Sequence, residues 1–204
     1  MADNKFNPAY DNKIYQKYSK KTIENKIENK RLFCEEVGLP FNKKVPLVCI
    51  TYPLTDSNHL EIIQDIMNGI LEQPVELVLT GIGTEKFQKF FTELAERDHT
   101  KVAIVENSEE EKRKIYAASD IVLIPTASEE CITEAQQAMR YGAIPVIPPQ
   151  PFAEDYNPNQ ERGNAFVYAK DSPWSLFATF IRAVENFKFP YDWKNIQAMA
   201  MELE

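Results

Sequence analysis

The sequence predicts an α/β protein built on a doubly wound parallel sheet. Two observations carry this prediction: from Val45 onward short apolar runs alternate with helical patterns, and six such runs are present. Alternation of this kind marks βα units whose parallel sheet is covered by helices on both faces. At 204 residues the chain fits one ordinary domain with a real core.

The predicted strands are Val45–Thr51, Val75–Thr80, Lys101–Val105, Asp120–Ile124, Ile144–Ile147 and Ala165–Tyr168. Between the first two, Leu60, Ile63, Met67 and Ile70 recur at spacings of three and four, which puts one apolar stripe on a helix. Phe87, Phe90, Phe91, Leu94 and Ala95 do the same in the next unit. Glu109–Ala118, Glu130–Tyr141 and Pro173–Phe187 supply three more helices, and Asp192–Met201 begins a last one. Right-handed crossovers then line up the loops that follow the strands along one edge, where ligands bind in such sheets. Those loops are Tyr52–His59, Gly81–Thr84, Glu106–Glu109, Pro125–Cys131 and Pro148–Asp155.

Residues 1–44 read as an N-terminal lead-in segment with a helix packed on the domain, residues 45–202 as the Rossmann-like domain itself. The helical pattern stops at residues 203–204, as at a cloning boundary that leaves a vector scar on a trimmed longer protein. The net charge of −8 argues against nucleic acid or an anionic membrane surface as partner. Three widely spaced cysteines (Cys34, Cys49, Cys131) and two histidines (His59, His99) give neither a disulfide framework nor a zinc cluster, and point to a reducing, cytoplasmic compartment. No apolar stretch is long enough to span a membrane, and the first residues do not read as a signal peptide. Lysines crowd residues 13–44, including Lys13, Lys17, Lys20, Lys21, Lys26, Lys30, Lys43 and Lys44; they read as a solvated helix face, with an acidic partner as the alternative.

Phe6-Asn7-Pro8-Ala9-Tyr10-Asp11 and Asn29-Lys30 are followed by Leu54-Thr55-Asp56 after the first strand and Gly81-Ile82-Gly83 after the second. Further on come Ile115-Tyr116-Ala117-Ala118-Ser119-Asp120, then Glu129 with Cys131, Arg140-Tyr141-Gly142 and Pro145-Val146. In order and spacing these elements resemble the C-terminal domain of bacterial glycogen synthase and plant starch synthase, over nearly the whole chain. The resemblance implies the C-terminal half of a GT-B two-domain fold, facing a missing N-terminal GT-B domain across a cleft. It implies a retaining glycosyltransferase that moves glucose from ADP-glucose to an α-1,4-glucan acceptor, with no cofactor and no metal.

The resemblance also assigns residues. Glu129 falls where the family contacts donor-sugar hydroxyls, and Thr55, Gly81, Gly83, Asn107, Cys131, Ile132, Thr133 and Glu134 fall on the nucleotide-binding side. Departures from the family pattern describe a degenerate donor site. Its phosphate arginine and lysine are matched by Pro53 and Asn58, and the glycine after that lysine by His59. The family's Glu-Pro-Cys-Gly-Leu-Thr turn reads Glu129-Glu130-Cys131-Ile132-Thr133-Glu134, its second acid is Gln137, its adenine-stacking tyrosine is Asn107, and its Thr-Gly-Gly loop is Gln150-Pro151-Phe152. A pyrophosphate needs cations and free backbone N–H groups, so carboxylates added at this helix N-terminus are expected to oppose it.

Several residues keep a structural reading beside the functional one. Thr55, Asp56 and Ser57 also read as a helix N-cap and turn, Gly81 and Gly83 as a tight βα turn, and Glu129, Glu130 and Glu134 as complements of a helix N-terminus. Cys131 reads as a small buried apolar residue, and both histidines as exposed. Trp174, Trp193, Phe177, Phe180, Phe187 and Phe189 read as core packing, with a sugar platform as the alternative. A non-catalytic GT-B-like domain that binds glucan or a protein partner remains the second reading of the whole chain.

Overall fold

The computed structural model describes residues 6–170 and 172–203; Met1–Lys5 and Glu204, half of the expected scar, lie outside the described residues. Six strands, β1 (Leu47–Ile50), β2 (Glu76–Thr80), β3 (Val102–Val105), β4 (Ile121–Leu123), β5 (Ile144–Ile147) and β6 (Phe166–Val167), form one sheet in the order β3-β2-β1-β4-β5-β6. Every pairing is parallel. Strand order reverses between β1 and β4, the Rossmann-like arrangement that opens a ligand crevice at the strands' C-terminal ends. β1, β2, β4 and β5 are buried along their whole length, as strands covered on both faces must be. The predicted strands are all present, Ile144–Ile147 with the expected bounds and the other five in shortened form. Pro46 has no N–H to donate and lends only its carbonyl, to Glu76 N, so the first ladder starts at Leu47.

Among the described residues seven α-helices surround the sheet: α1 (Lys26–Val37), α2 (Leu60–Glu72), α3 (Glu85–Arg97), α4 (Glu109–Ala118), α5 (Glu129–Arg140), α6 (Pro173–Phe187) and α7 (Pro190–Ala200). Leu60, Ile63, Met67 and Ile70 are all buried on α2, and Phe87, Phe91 and Leu94 on α3, as their spacing requires. Ser108, Ser128 and Ser172 cap α4, α5 and α6 by accepting from Glu111 N, Cys131 N and Ser175 N. α7 starts two residues earlier than its apolar pattern, because Pro190 occupies the first turn, where a missing N–H costs nothing.

Two expectations need correction. The lysine-rich segment is not uniformly a solvated face: Lys26 is 4% and Lys30 1% exposed. Lys26 Nζ donates to Tyr116 O (2.7 Å) and Ala117 O (2.9 Å), carbonyls left without helical partners where α4 ends. Lys30 Nζ pairs with Asp120 Oδ2 at 2.7 Å and also donates to Val45 O. The other six lysines of that segment are exposed. The aromatic group also divides. Trp193 and Phe180 are core residues, whereas Trp174 in the first turn of α6 and Phe189 in the α6–α7 turn are 74% and 58% exposed.

Candidate functional site

The C-terminal edge of the sheet is assembled from loops that hold one another. Leu54 N donates to Ile82 O (2.8 Å) and Thr84 N to Leu54 O (2.9 Å), which joins the loop after β1 to the loop after β2. Gly83 makes this possible: a Cβ there would lie 2.2 Å from Leu54 O. Gly81 is likewise crowded, by the Ile104 side chain. Thr55 begins a short 3-10 turn, Asp56–Asn58, without a side-chain cap bond; its Oγ1 meets Ser57 Oγ at 2.8 Å instead.

Asn58 is the hub of this edge. Its side chain is wholly buried; Nδ2 donates to Pro53 O and to Glu130 Oε2, both at 2.9 Å, and Oδ1 accepts from Ser128 Oγ at 2.7 Å. The loop after β1 is thereby clasped to the N-terminus of α5. The asparagine thus spends its polar atoms on the protein. His59, next in the chain, is half-buried and not exposed as expected, and its φ of 52° places it in the left-handed region.

Glu129 opens α5 and is exposed at the same edge. Ser128 Oγ already takes the first-turn N–H of Cys131 (3.2 Å), and Ser128 O takes that of Ile132 (2.9 Å), so these donors are committed within the protein. Cys131 is fully buried, and burial pushes its thiol up to about 12, far from a reactive thiolate. Ile132 is half-buried; Thr133 and Asn107 are exposed.

Glu134 departs from expectation. It is only 8% exposed and turned inward, with Lys112 Nζ 2.5 Å from Oε1 and the Tyr116 hydroxyl donating to Oε2. Glu130 is held by Asn58. The carboxylates of α5 therefore do not act together against an anion: Glu134 is neutralised by a lysine from α4, a partner that the first turn of α5 could not supply.

Sequence reasoning missed two cations at this edge. Lys86, in the first turn of α3, is exposed and stands 3.5 Å from Asp56 Oδ1. Lys170, after β6, lines a cavity of about 260 Å³ with Pro125, Thr126, Pro148, Pro149 and Tyr168, all beyond the ends of β4, β5 and β6. Their signal was positional, since each follows a strand within a few residues. Among the described residues no cluster of His, Cys, Asp and Glu could hold a metal ion, and no helix is long and apolar enough to cross a membrane.

No protein-family model matches the chain. It is 34% identical over 205 residues to a glycogen synthase of Fervidobacterium nodosum, which covers 97% of this chain and 42% of that protein. A glycogen synthase of Caldicellulosiruptor bescii is 35% identical over 202 residues, covering 96% and 42% respectively. The chain thus spans about two-fifths of the length of these relatives. Among solved structures, the catalytic domain of starch synthase IV from Arabidopsis thaliana, bound to ADP and acarbose, superposes with a TM-score of 0.84 over 98% of this chain and 43% of its own, at 23% identity. The C-terminal domain of a glycosyl transferase group 1 family protein from Francisella tularensis superposes with a TM-score of 0.64 at 13% identity, over 91% of this chain and 95% of that domain.

Proposed function

Because the chain is a homologue of the C-terminal portion of glycogen synthases, we propose that it is the nucleotide-sugar half of a glycosyltransferase that moves glucose from ADP-glucose to an α-1,4-glucan. In this reading residues 45–202 hold the donor, residues 1–44 lead in from an N-terminal GT-B domain, and the acceptor lies mostly on that domain. The observation that carries the proposal is the placement of Glu129: first residue of α5, exposed, at the C-terminal edge of the sheet beside the loop clasped by Asn58. There a carboxylate can accept hydrogen bonds from the hydroxyls of a sugar whose diphosphate lies along the same edge. Thr55, Gly81, Gly83 and Asn107 border the nucleotide, and Cys131, Ile132, Thr133 and Glu134 form the α5 turn beneath it.

The donor is held weakly. Each lost charge-assisted contact lowers affinity by about 1.5–3 kcal/mol, roughly ten- to a hundredfold, and neither Pro53 nor Asn58 supplies one. Lys86 and Lys170 are the cations left to meet the diphosphate. Calorimetric titration of the chain with ADP-glucose is expected to give saturable binding near ~1 mM, weakened in Glu129→Ala. Absence of a saturable signal up to about 10 mM ADP-glucose sinks donor recognition.

A second reading, a non-catalytic domain kept for binding glucan or a protein partner, is favoured by the Asn58 clasp itself, which occupies the turn where a phosphate cation would stand. Glucosyl transfer by the chain joined to its N-terminal half separates the two: robust transfer excludes the second reading.

A further inference from the structure

At the opposite edge of the sheet, where α4 and α6 end and β4 begins, a cavity of about 230 Å³ opens between α1 and α7. Its floor is polar and deeply buried: Lys26, Lys30 and Asp120 line it at 4%, 1% and 8% exposure. Its wall is aromatic, with Phe187 and Trp193 edge to face at 5.2 Å. Lys43 and Lys194 stand at its exposed rim. Four lysines face this cavity against two carboxylates, Glu24 and Asp120, in a chain whose net charge is −8.

The buried charges are unevenly compensated. Lys30 has the Asp120 carboxylate at 2.7 Å, whereas Lys26 has the two α4 carbonyls and the face of the Tyr18 ring at 5.7 Å and, among the described residues, no carboxylate in contact. Burial accordingly brings the Lys26 ammonium down to about 7. Each of the two ammonium groups donates two hydrogen bonds to the protein, and a lysine has three N–H donors. Among the described residues each therefore has one N–H outside these bonds, with the Tyr18 ring 5.7 Å from Lys26 Nζ and the Phe187 ring 5.3 Å from Lys30 Nζ. An oxyanion at the floor would take those donors and supply the charge that Lys26 lacks, and an apolar body would rest on the aromatic wall.

We propose that this cavity is a binding site for a small organic anion, a phosphate or carboxylate on a compact apolar body, whose oxyanion is received by Lys26 and Lys30 and whose body packs on Phe187 and Trp193. The site is independent of the donor edge, so it stands or falls separately from the proposed function.

Trp193 provides the readout. The sequence holds two tryptophans, and Trp174 is on the surface, so Trp174→Phe leaves Trp193 as the single emitter beside the cavity. This variant is titrated with benzyl phosphate and with benzoate, and with benzyl alcohol as their neutral counterpart. The expected result is a saturable change in Trp193 emission for at least one anion, at least ~10-fold tighter than for its neutral counterpart; whichever anion saturates more tightly identifies the head group. Lys26→Met, confirmed as folded by circular dichroism, abolishes the response. Should it fail to fold, the surface pair Lys43→Met and Lys194→Met reads the same electrostatics, each weakening binding by about two- to fivefold. Equal responses to anionic and neutral probes, or no saturation by about 10 mM anion, overturn the proposal.

Discussion

Asn58→Ala tests how the C-terminal edge of the sheet is held together. The substitution removes three side-chain hydrogen bonds: to Pro53 O at 2.9 Å, to Glu130 Oε2 at 2.9 Å and from Ser128 Oγ at 2.7 Å. The two neutral bonds contribute about 0.5–1.5 kcal/mol each. The third reaches a carboxylate, but Glu130 is exposed, which keeps it near the low end of the range for charged groups, about 1 kcal/mol. The total is about 2–4 kcal/mol, which in a domain of this size lowers Tm by roughly 5–15 °C. Urea unfolding followed by far-ultraviolet circular dichroism measures the free energy, and thermal melts measure Tm. Asn58→Asp sharpens the test, since it keeps the acceptor for Ser128 but sets a carboxylate against Glu130, so at pH 7 it should be at least as damaging as alanine. An Asn58→Ala protein within about 0.5 kcal/mol of wild type would refute the clasp. The double variant Asn58→Lys, Glu130→Gln carries the same reasoning to function: a free cation at this turn should tighten ADP by about tenfold or more, and unchanged affinity would show that phosphate does not lie there.

Three further outcomes follow from other parts of the molecule. Lys30→Met leaves Asp120 buried without its cation and should cost about 3–5 kcal/mol; a loss under about 1 kcal/mol in urea unfolding would contradict the pairing. His59→Gly relieves a left-handed residue (φ 52°) at the start of α2 and should raise stability by about 0.5–1 kcal/mol by the same measurement, whereas a loss of stability would show that the imidazole has a contact of its own. Burial pushes the Glu76 carboxyl up to about 7 from 4.5, so between those values the folded protein holds a proton that the unfolded chain has released, and stability falls as pH rises through that window. Lys26, brought down to about 7 from 10.5, acts in the opposite sense above 7, so the urea midpoint should pass through a minimum near neutrality. Glu76→Gln should flatten the acid limb, and an unchanged limb would remove Glu76 as its cause.

The strands and most helices were legible because their signals are local. Leu60, Ile63, Met67 and Ile70 can share a face only on a helix, and that face is buried. The fate of single polar side chains was not local. Lys26 and Lys30 carry nothing in their own spacing that distinguishes them from Lys17 or Lys21; their burial is decided by α4 carbonyls and by Asp120, some ninety residues later. Glu134 looked like one more charge at a helix start, and only the packing of α4 on α5 brought Lys112 and Tyr116 to it. Asn58 read as the loss of a cation. What it gained instead, a clasp to Ser128 and Glu130 more than seventy positions away in part, required the register of β1 against β4 that brings the two loops together. Trp174 shows the converse error, since an aromatic in the first turn of α6 satisfied the helical spacing while facing solvent.

The central claim, that this edge receives a nucleotide sugar, is tested most directly by amide-resolved NMR titration of the chain with ADP-glucose. The account predicts saturable shifts gathered on Thr55, Gly81, Gly83, Asn107 and the first turn of α5 from Glu129, with the cavity between α1 and α7 unmoved. Shifts absent at about 1 mM ADP-glucose, or scattered away from the C-terminal ends of the strands, would contradict it.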